Sequence, residues 1–182
     1  MKILVYSTNG VLRDGITSWM KSHLARMDQT DLELHTLAFE DTTDDLLREL
    51  RACGLQIHMV PSRTTPLRFA VALNKTLRAG KYDAIHINGN SSTVALDLLA
   101  TMGTGVRARI VHSHNTTGSH PIFSAILRPI GNALTTDRFA CGREAGRWMF
   151  GDRPCVVLSN GIDLGAYAFD PEIREQMRPR LS

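Results

Sequence analysis

The residue types best suited to chemistry stand together in Arg109-Ile110-Val111-His112-Ser113-His114-Asn115-Thr116. Ile110 and Val111 are apolar and β-branched, as a buried strand requires. Two imidazoles, a hydroxyl and an amide follow at once. Ligands of a parallel α/β sheet bind at the carboxyl ends of its strands, so a His-bearing strand exit is where proton transfer, sugar recognition or metal ligation belongs. Period-two spacing puts His112 and His114 on one side of the strand. His114, the outermost and set among polar neighbours, is the candidate catalytic residue. His112 and His86 read as satisfied core histidines. No nearby carboxylate or cysteine completes a ligand set around His112-x-His114, so no metal site is expected.

Two further strand exits carry candidate binding residues. The first follows Lys2–Tyr6 and supplies Gly10, Arg13 and Gly15 just before a helix. Glycines there let backbone N–H groups approach an anion, and the helix dipole favours its binding; a plain connecting loop reads equally well. The second follows Tyr82–Ile87 and supplies Asn88 and Ser91, able to hydrogen-bond sugar hydroxyls or, for Ser91, to cap the next helix.

The elements that must position these exits alternate throughout. Apolar strand-like runs begin near Lys2, Leu32, Gln56, Tyr82, Arg109, Arg138 and Cys155, and helical periodicities separate them. Thr65-Pro66 and Asp170-Pro171 mark helix starts, and Pro129 should kink or break the helix that begins at Pro121. Strict alternation predicts an α/β fold, a Rossmann-like parallel sheet with helices on both faces. The chain has 182 residues, room for one sizeable core. Its formal charge of +3 comes from scattered basic residues, without a nucleic-acid stripe. Three cysteines without a CxxC pair suit reduced thiols in the cytosol. No apolar run reaches the ~18 residues of a spanning helix. G-x-G-x-x-G, the P-loop and G-x-S-x-G are all missing, which argues against a dinucleotide dehydrogenase, a P-loop NTPase and an α/β-hydrolase.

Five segments, in this order, carry a family resemblance: Gly15-Ile16; Tyr82 through Ser91; Arg109 through Thr116; Phe139-Ala140-Cys141-Gly142-Arg143-Glu144-Ala145-Gly146-Arg147-Trp148-Met149-Phe150-Gly151; and Val157-Leu158-Ser159-Asn160-Gly161-Ile162-Asp163. The chain resembles the N-terminal domain of a family-4-type retaining glycosyltransferase of GT-B fold, nearest the subgroup of capsular and exopolysaccharide biosynthesis. The resemblance implies that residues 1–159 form the acceptor-binding domain and that 160–182 form the interdomain linker and the start of a C-terminal domain that holds the nucleotide-sugar. It implies that Gly15 faces the donor diphosphate, that His114 contacts the transferred sugar with Asn115 and Thr116 beside it, and that Asn160 and Asp163 enter the linker. No cofactor is implied. One departure stands out: Arg13-Asp14 precedes Gly15 where many relatives have glycine.

The expected function is therefore transfer of a sugar from a nucleotide-sugar to a polysaccharide or lipid-linked saccharide acceptor, with retention. The donor would be held mainly by the C-terminal domain, so the chain alone is expected to be inactive. The expected setting is the cytoplasm at the inner face of the membrane, with peripheral membrane contact and self-association as further expectations and nucleic acid excluded. Two rival readings are a non-catalytic module for a phosphorylated small ligand and a partner for a separately encoded donor domain.

Overall fold

The computed structural model describes residues 1–117, 121–161, 164–165 and 168–181. Its strands are β1 (Lys2–Ser7), β2 (Glu33–Phe39), β3 (Gln56–Val60), β4 (Ala84–Gly89), β5 (Ala108–Ser113), β6 (Asp137–Ala140) and β7 (Val156–Val157). The helices between and after them are α1 (Gly15–Leu24), α2 (Asp44–Ala52), α3 (Pro66–Gly80), α4 (Val94–Ala100), α5 (Pro121–Leu134), α6 (Arg143–Phe150) and α7 (Pro171–Leu181). All strand pairs are parallel, in the order β3-β2-β1-β4-β5-β6-β7. The Rossmann-like α/β sheet expected from strict alternation is thus present.

The direction of travel along the sheet reverses at the β1/β4 pair, and the hand of the crossovers puts the helices on two faces. Ile16, Trp19, Met20 and Leu24 of α1 join Leu46, Leu47 and Leu50 of α2 in one core with Val5, Leu34 and Ala38. Phe69, Leu73 and Leu77 of α3, Val94 and Leu98 of α4 and Met149 and Phe150 of α6 form the other core with Leu4, Tyr6, Ile85, Ile87 and Val111. Strand β2 has residues of both cores and is buried from Leu34 to Phe39, so its alternating sequence does not make a half-exposed strand.

Of the kink or break expected at Pro129, the break does not occur: helix α5 runs through that residue without ending. That residue and Ala125, whose carbonyl loses its usual amide partner, both lie on the exposed side where water can replace it. Leu67 and Val71, apolar and at helical spacing, stand on the outer side of α3.

Candidate functional site

In a sheet of this kind the crevice opens where the strand order reverses, here at the carboxyl ends of β1 and β4. Three exits are laced together there. The Thr8 N–H donates to the Asn88 carbonyl at 2.9 Å, and the His114 N–H to the Gly89 carbonyl at 3.4 Å. Asn88 is fully buried, and its side-chain Nδ2 donates to the Tyr6 carbonyl at 3.2 Å. That fixes the amide orientation, leaving Oδ1 as an acceptor 2.9 Å from His114 Nε2. The hydrogen on His114 must then reside on Nε2, and Nδ1 keeps its lone pair. Burial outweighs the opposing pull of Asp14 and, with His23 adding to it, lowers the His114 pKa to about 4. The imidazole is neutral at physiological pH.

Beneath His114 lies an aromatic stack that the sequence does not announce. Trp19, on the inner side of α1, presents its ring at 4.6 Å from His112 and 5.3 Å from His114, centroid to centroid. His112 lies 4.2 Å from His114 and 5.5 Å from His86 by the same measure. Burial, with the neighbouring histidines, lowers His112 to about 2 and His86 to about 4. Both are neutral, as their place in the strands suggests, but neither is fully satisfied: both His112 ring nitrogens and His86 Nε2 lack a hydrogen-bond partner. The rings meet edge and face, and among the described residues no group of three His, Cys, Asp or Glu could hold a metal ion.

The first exit does several things at once. Gly10 has φ +79°, and a Cβ there would come within 2.5 Å of Phe39 Cδ2, so only glycine fits the turn. Gly15 opens α1, is exposed, and has nothing within 4 Å of where a Cβ would stand. Asp14 caps that helix, accepting the Thr17 N–H at 2.8 Å. This carboxylate sits where an incoming anion would also look for amides, leaving Gly15 and Ile16 as the first-turn N–H groups ahead of it. Arg13 turns away from the crevice and ion-pairs with Asp45 and Glu49 on α2.

The remaining candidates are dispersed. Ser91 Oγ lies 2.7 Å from Thr93 Oγ1 and accepts the Thr93 N–H at 3.3 Å, a turn that introduces α4. Asn115 and Thr116 are exposed just past His114. Asn160 is exposed after β7, and the neighbouring Gly161 lines a hollow of about 320 Å³ with Ser22, His23, Arg26 and Met27 at the end of α1. Asp163 lies outside the described residues. The structure thus brings Asn88 and His114 into contact, sets Gly10 and Gly15 on the adjoining exit, and keeps Arg13 and Asn160 apart from them.

A second buried device was not legible in the sequence. Asp97 of α4 accepts from Tyr6 Oη at 2.8 Å and from Arg63 Nη2 at 2.9 Å. The same guanidinium reaches the Thr8 carbonyl at 3.4 Å and the Thr93 carbonyl at 3.3 Å. Arg63 therefore ties the exits of β1, β3 and β4 into one rim. Its lone position after Pro61-Ser62 gives no periodicity or motif by which to find it.

No family model matches the chain. It is similar to a Bacillus subtilis (strain 168) protein named "Putative glycosyltransferase EpsF", 28% identical over 181 residues that cover 92% of this chain and 47% of that one. The chain thus spans about half the length of the curated relative it matches. Among solved structures it is similar to Anabaena Alr3699/HepE in complex with UDP and glucose, with TM-score 0.71 and 14% identity over 98% of this chain and 50% of that one. It is also similar to Acinetobacter baumannii MurG, with TM-score 0.61 and 12% identity over 89% of this chain and 46% of that one. At these identities the structural likeness is one of fold: a Rossmann-like unit that makes up about half of each larger chain.

Proposed function

We propose that this chain is the acceptor-binding half of a glycosyltransferase of GT-B architecture, of the retaining family-4 type that serves capsular or exopolysaccharide assembly. It would move a sugar from a nucleotide-sugar to a polysaccharide or lipid-linked saccharide at the inner face of the membrane. The supporting observation is the neutral His114 imidazole, aimed by the buried Asn88 amide at the carboxyl edge beside the strand-order reversal. The similarity to "Putative glycosyltransferase EpsF" supports the reaction class. The UDP and glucose bound to Alr3699/HepE support a nucleotide-sugar donor.

In this reading the donor lies mainly on a second half of the enzyme, with residues 160–182 leading towards it. The amides of Gly15 and Ile16 face the donor diphosphate across the cleft. His114 receives a hydroxyl of the transferred sugar at Nδ1, held in that tautomer by Asn88. Neutrality matters, because an imidazolium would lose the acceptor lone pair. Asn115 and Thr116, exposed beside it, contact the acceptor. Asp14 occupies the Thr17 amide of the α1 N-terminus, so a donor diphosphate and a rival phosphorylated ligand alike would be left the amides of Gly15 and Ile16.

The test uses the complete coding region that contains this chain, assayed with labelled nucleotide-sugars and lipid-linked acceptors. Transfer with retained anomeric configuration is expected. His114→Ala is expected to lower turnover per folded molecule about a hundredfold, as loss of one positioned polar group in a reaction centre does. Absence of transfer from every donor overturns the function. An unchanged rate per folded molecule overturns the role of His114.

A further inference from the structure

We propose that His35, His58 and Tyr82 form a binding site for a divalent transition-metal ion of right-angled geometry, Ni²⁺ or Cu²⁺. The three side chains meet towards the amino ends of the strands, away from the edge that carries His114. His58 lies on the edge strand β3. Its register partner Leu37 stands two residues after His35, so both imidazoles share one face of the sheet. Tyr82 comes from the segment that leads into β4.

His35 Nδ1 and His58 Nε2 are 2.7 Å apart, and Tyr82 Oη is 2.9 Å from each. Protons alone do not fill this triangle. His35 Nε2 lies 2.8 Å from Glu33 Oε1, and a carboxylate only accepts, so the proton of neutral His35 sits on Nε2. Nδ1 then faces the other two atoms with a lone pair. Two protons remain for three contacts, one on the phenol and one on His58 Nε2. A metal ion instead takes a lone pair from each of the three atoms. With metal–ligand bonds of about 2.0–2.1 Å, these spacings set angles at the ion of about 80–90°. Such angles suit tetragonal Cu²⁺ or Ni²⁺ and are too narrow for tetrahedral Zn²⁺.

The surroundings fit an ion as well. Glu33, on the far nitrogen of His35, supplies the carboxylate that orients a metal-bound imidazole. Burial, with His35 and Lys2, lowers the His58 pKa, so that ring is neutral at physiological pH, as a ligand must be. Burial and the Glu33 charge push Tyr82 up to about 12, so the phenol keeps its proton until an ion displaces it. Lys2 faces the cluster, 2.9 Å from Glu33 and 5.2 Å from the centre of the Tyr82 ring, and neutralises Glu33. His58 is half-buried, with Gln56 and Met59 exposed beside it, which gives an ion a way in from the sheet edge. On binding, the His58 Nε2 proton moves to Nδ1 and the Tyr82 proton leaves to solvent. Two imidazole nitrogens and one phenolate oxygen then bond the ion, and water takes its remaining positions. The occupied site clasps β3 to β2 and to the segment before β4. The inference stands apart from the proposed glycosyl transfer, since it is read by ion binding and not by turnover.

The experiment is calorimetric titration of the 182-residue chain with NiCl2 in two buffers of different ionisation enthalpy, beside proton–nitrogen spectra. One site is expected, with release of the phenol proton on binding. Ni²⁺ completed by water is paramagnetic and should broaden the amides around His35, His58 and Tyr82. His58→Ala should abolish the site. Glu33→Gln, at an exposed position, should weaken it about tenfold or more. Tyr82→Phe should still bind Ni²⁺, more weakly and without proton release. The broadening pattern reads the wild-type protein, so the result does not depend on any variant folding. Absence of Ni²⁺ binding overturns the proposal, as does broadening centred elsewhere in the chain or equal binding by His58→Ala. Proton release unchanged in Tyr82→Phe removes the phenolate and overturns the three-ligand site.

Discussion

At the scale of single residues, three histidines, His112 buried and His86 and His114 half-buried, make the protein sensitive to acid. Burial lowers His86, His112 and His114 from 6.5 to about 4, 2 and 4. Their neutral forms are compatible with the fold, and their protonated forms are not. Between pH 6.5 and 4 the unfolded chain therefore binds more protons than the folded one, and stability falls as pH falls through that window. Urea midpoints measured down this range should drop steadily. His112→Leu, a change of similar volume that replaces an imidazole without hydrogen-bond partners, should alter stability near neutral pH by less than about 1.5 kcal/mol. It should also make the acid slope shallower; an unchanged slope would place the labile proton elsewhere. Proton–nitrogen correlation spectra should show His114 as the Nε2–H tautomer, because Asn88 Oδ1 can only accept.

At the scale of elements, the rim of the site depends on one charged pair seated between strands and helices. Arg63→Met would leave Asp97 as a buried carboxylate with only the Tyr6 hydroxyl, at a cost of about 3 kcal/mol. Replacing the charged network in Tyr6→Phe/Arg63→Met/Asp97→Leu should recover most of that loss, because the buried carboxylate is then gone and only the long contacts of Arg63 to the Thr8 and Thr93 carbonyls are lost. Denaturant titration of the two variants checks both statements; a triple variant no more stable than Arg63→Met contradicts the account. Gly10 is the other element-level constraint. Gly10→Ala must adopt φ +79° and displace Phe39, and should cost at least about 1 kcal/mol by the same measurement.

At the scale of the whole molecule, the described sheet presents a crevice with one wall. If the donor is held by a second half, the 182-residue chain should turn over no nucleotide-sugar by itself, while the longer protein does. Turnover by this chain above a protein-free blank contradicts that division of labour. Helix α7 fits the same picture. Asp170 caps it at 2.8 Å from the Glu172 nitrogen, yet the described α7 residues are exposed. An isolated polar helix of this length is marginal in water, so amide exchange over α7 should be fast in this chain.

The sequence by itself determined the order of elements and the sheet type, because strand and helix periods are local properties of apolar spacing. It also determined that His114 stands at a strand exit among polar groups, since that is a matter of position along one segment. What it left open were facts that depend on neighbours distant in the chain. Leu67 and Val71 share a helical period with Phe69 and Leu73, and only packing against the sheet decides which side faces water. Arg13 reads as a phosphate contact until α2 arrives with Asp45 and Glu49. Asn88 reads as a sugar ligand, and tertiary structure makes it the residue that orients His114. Trp19 reads as an apolar helix residue, and β4 and β5 make it the lid on three histidines. Tyr6, Arg63 and Asp97 come from three separate elements, and their pairing follows from the sheet order, which brings β1 beside β4. Local periodicity sets which elements form; which side chains meet is set by how the elements pack, because hydrogen bonds and ion pairs act only over a few ångströms.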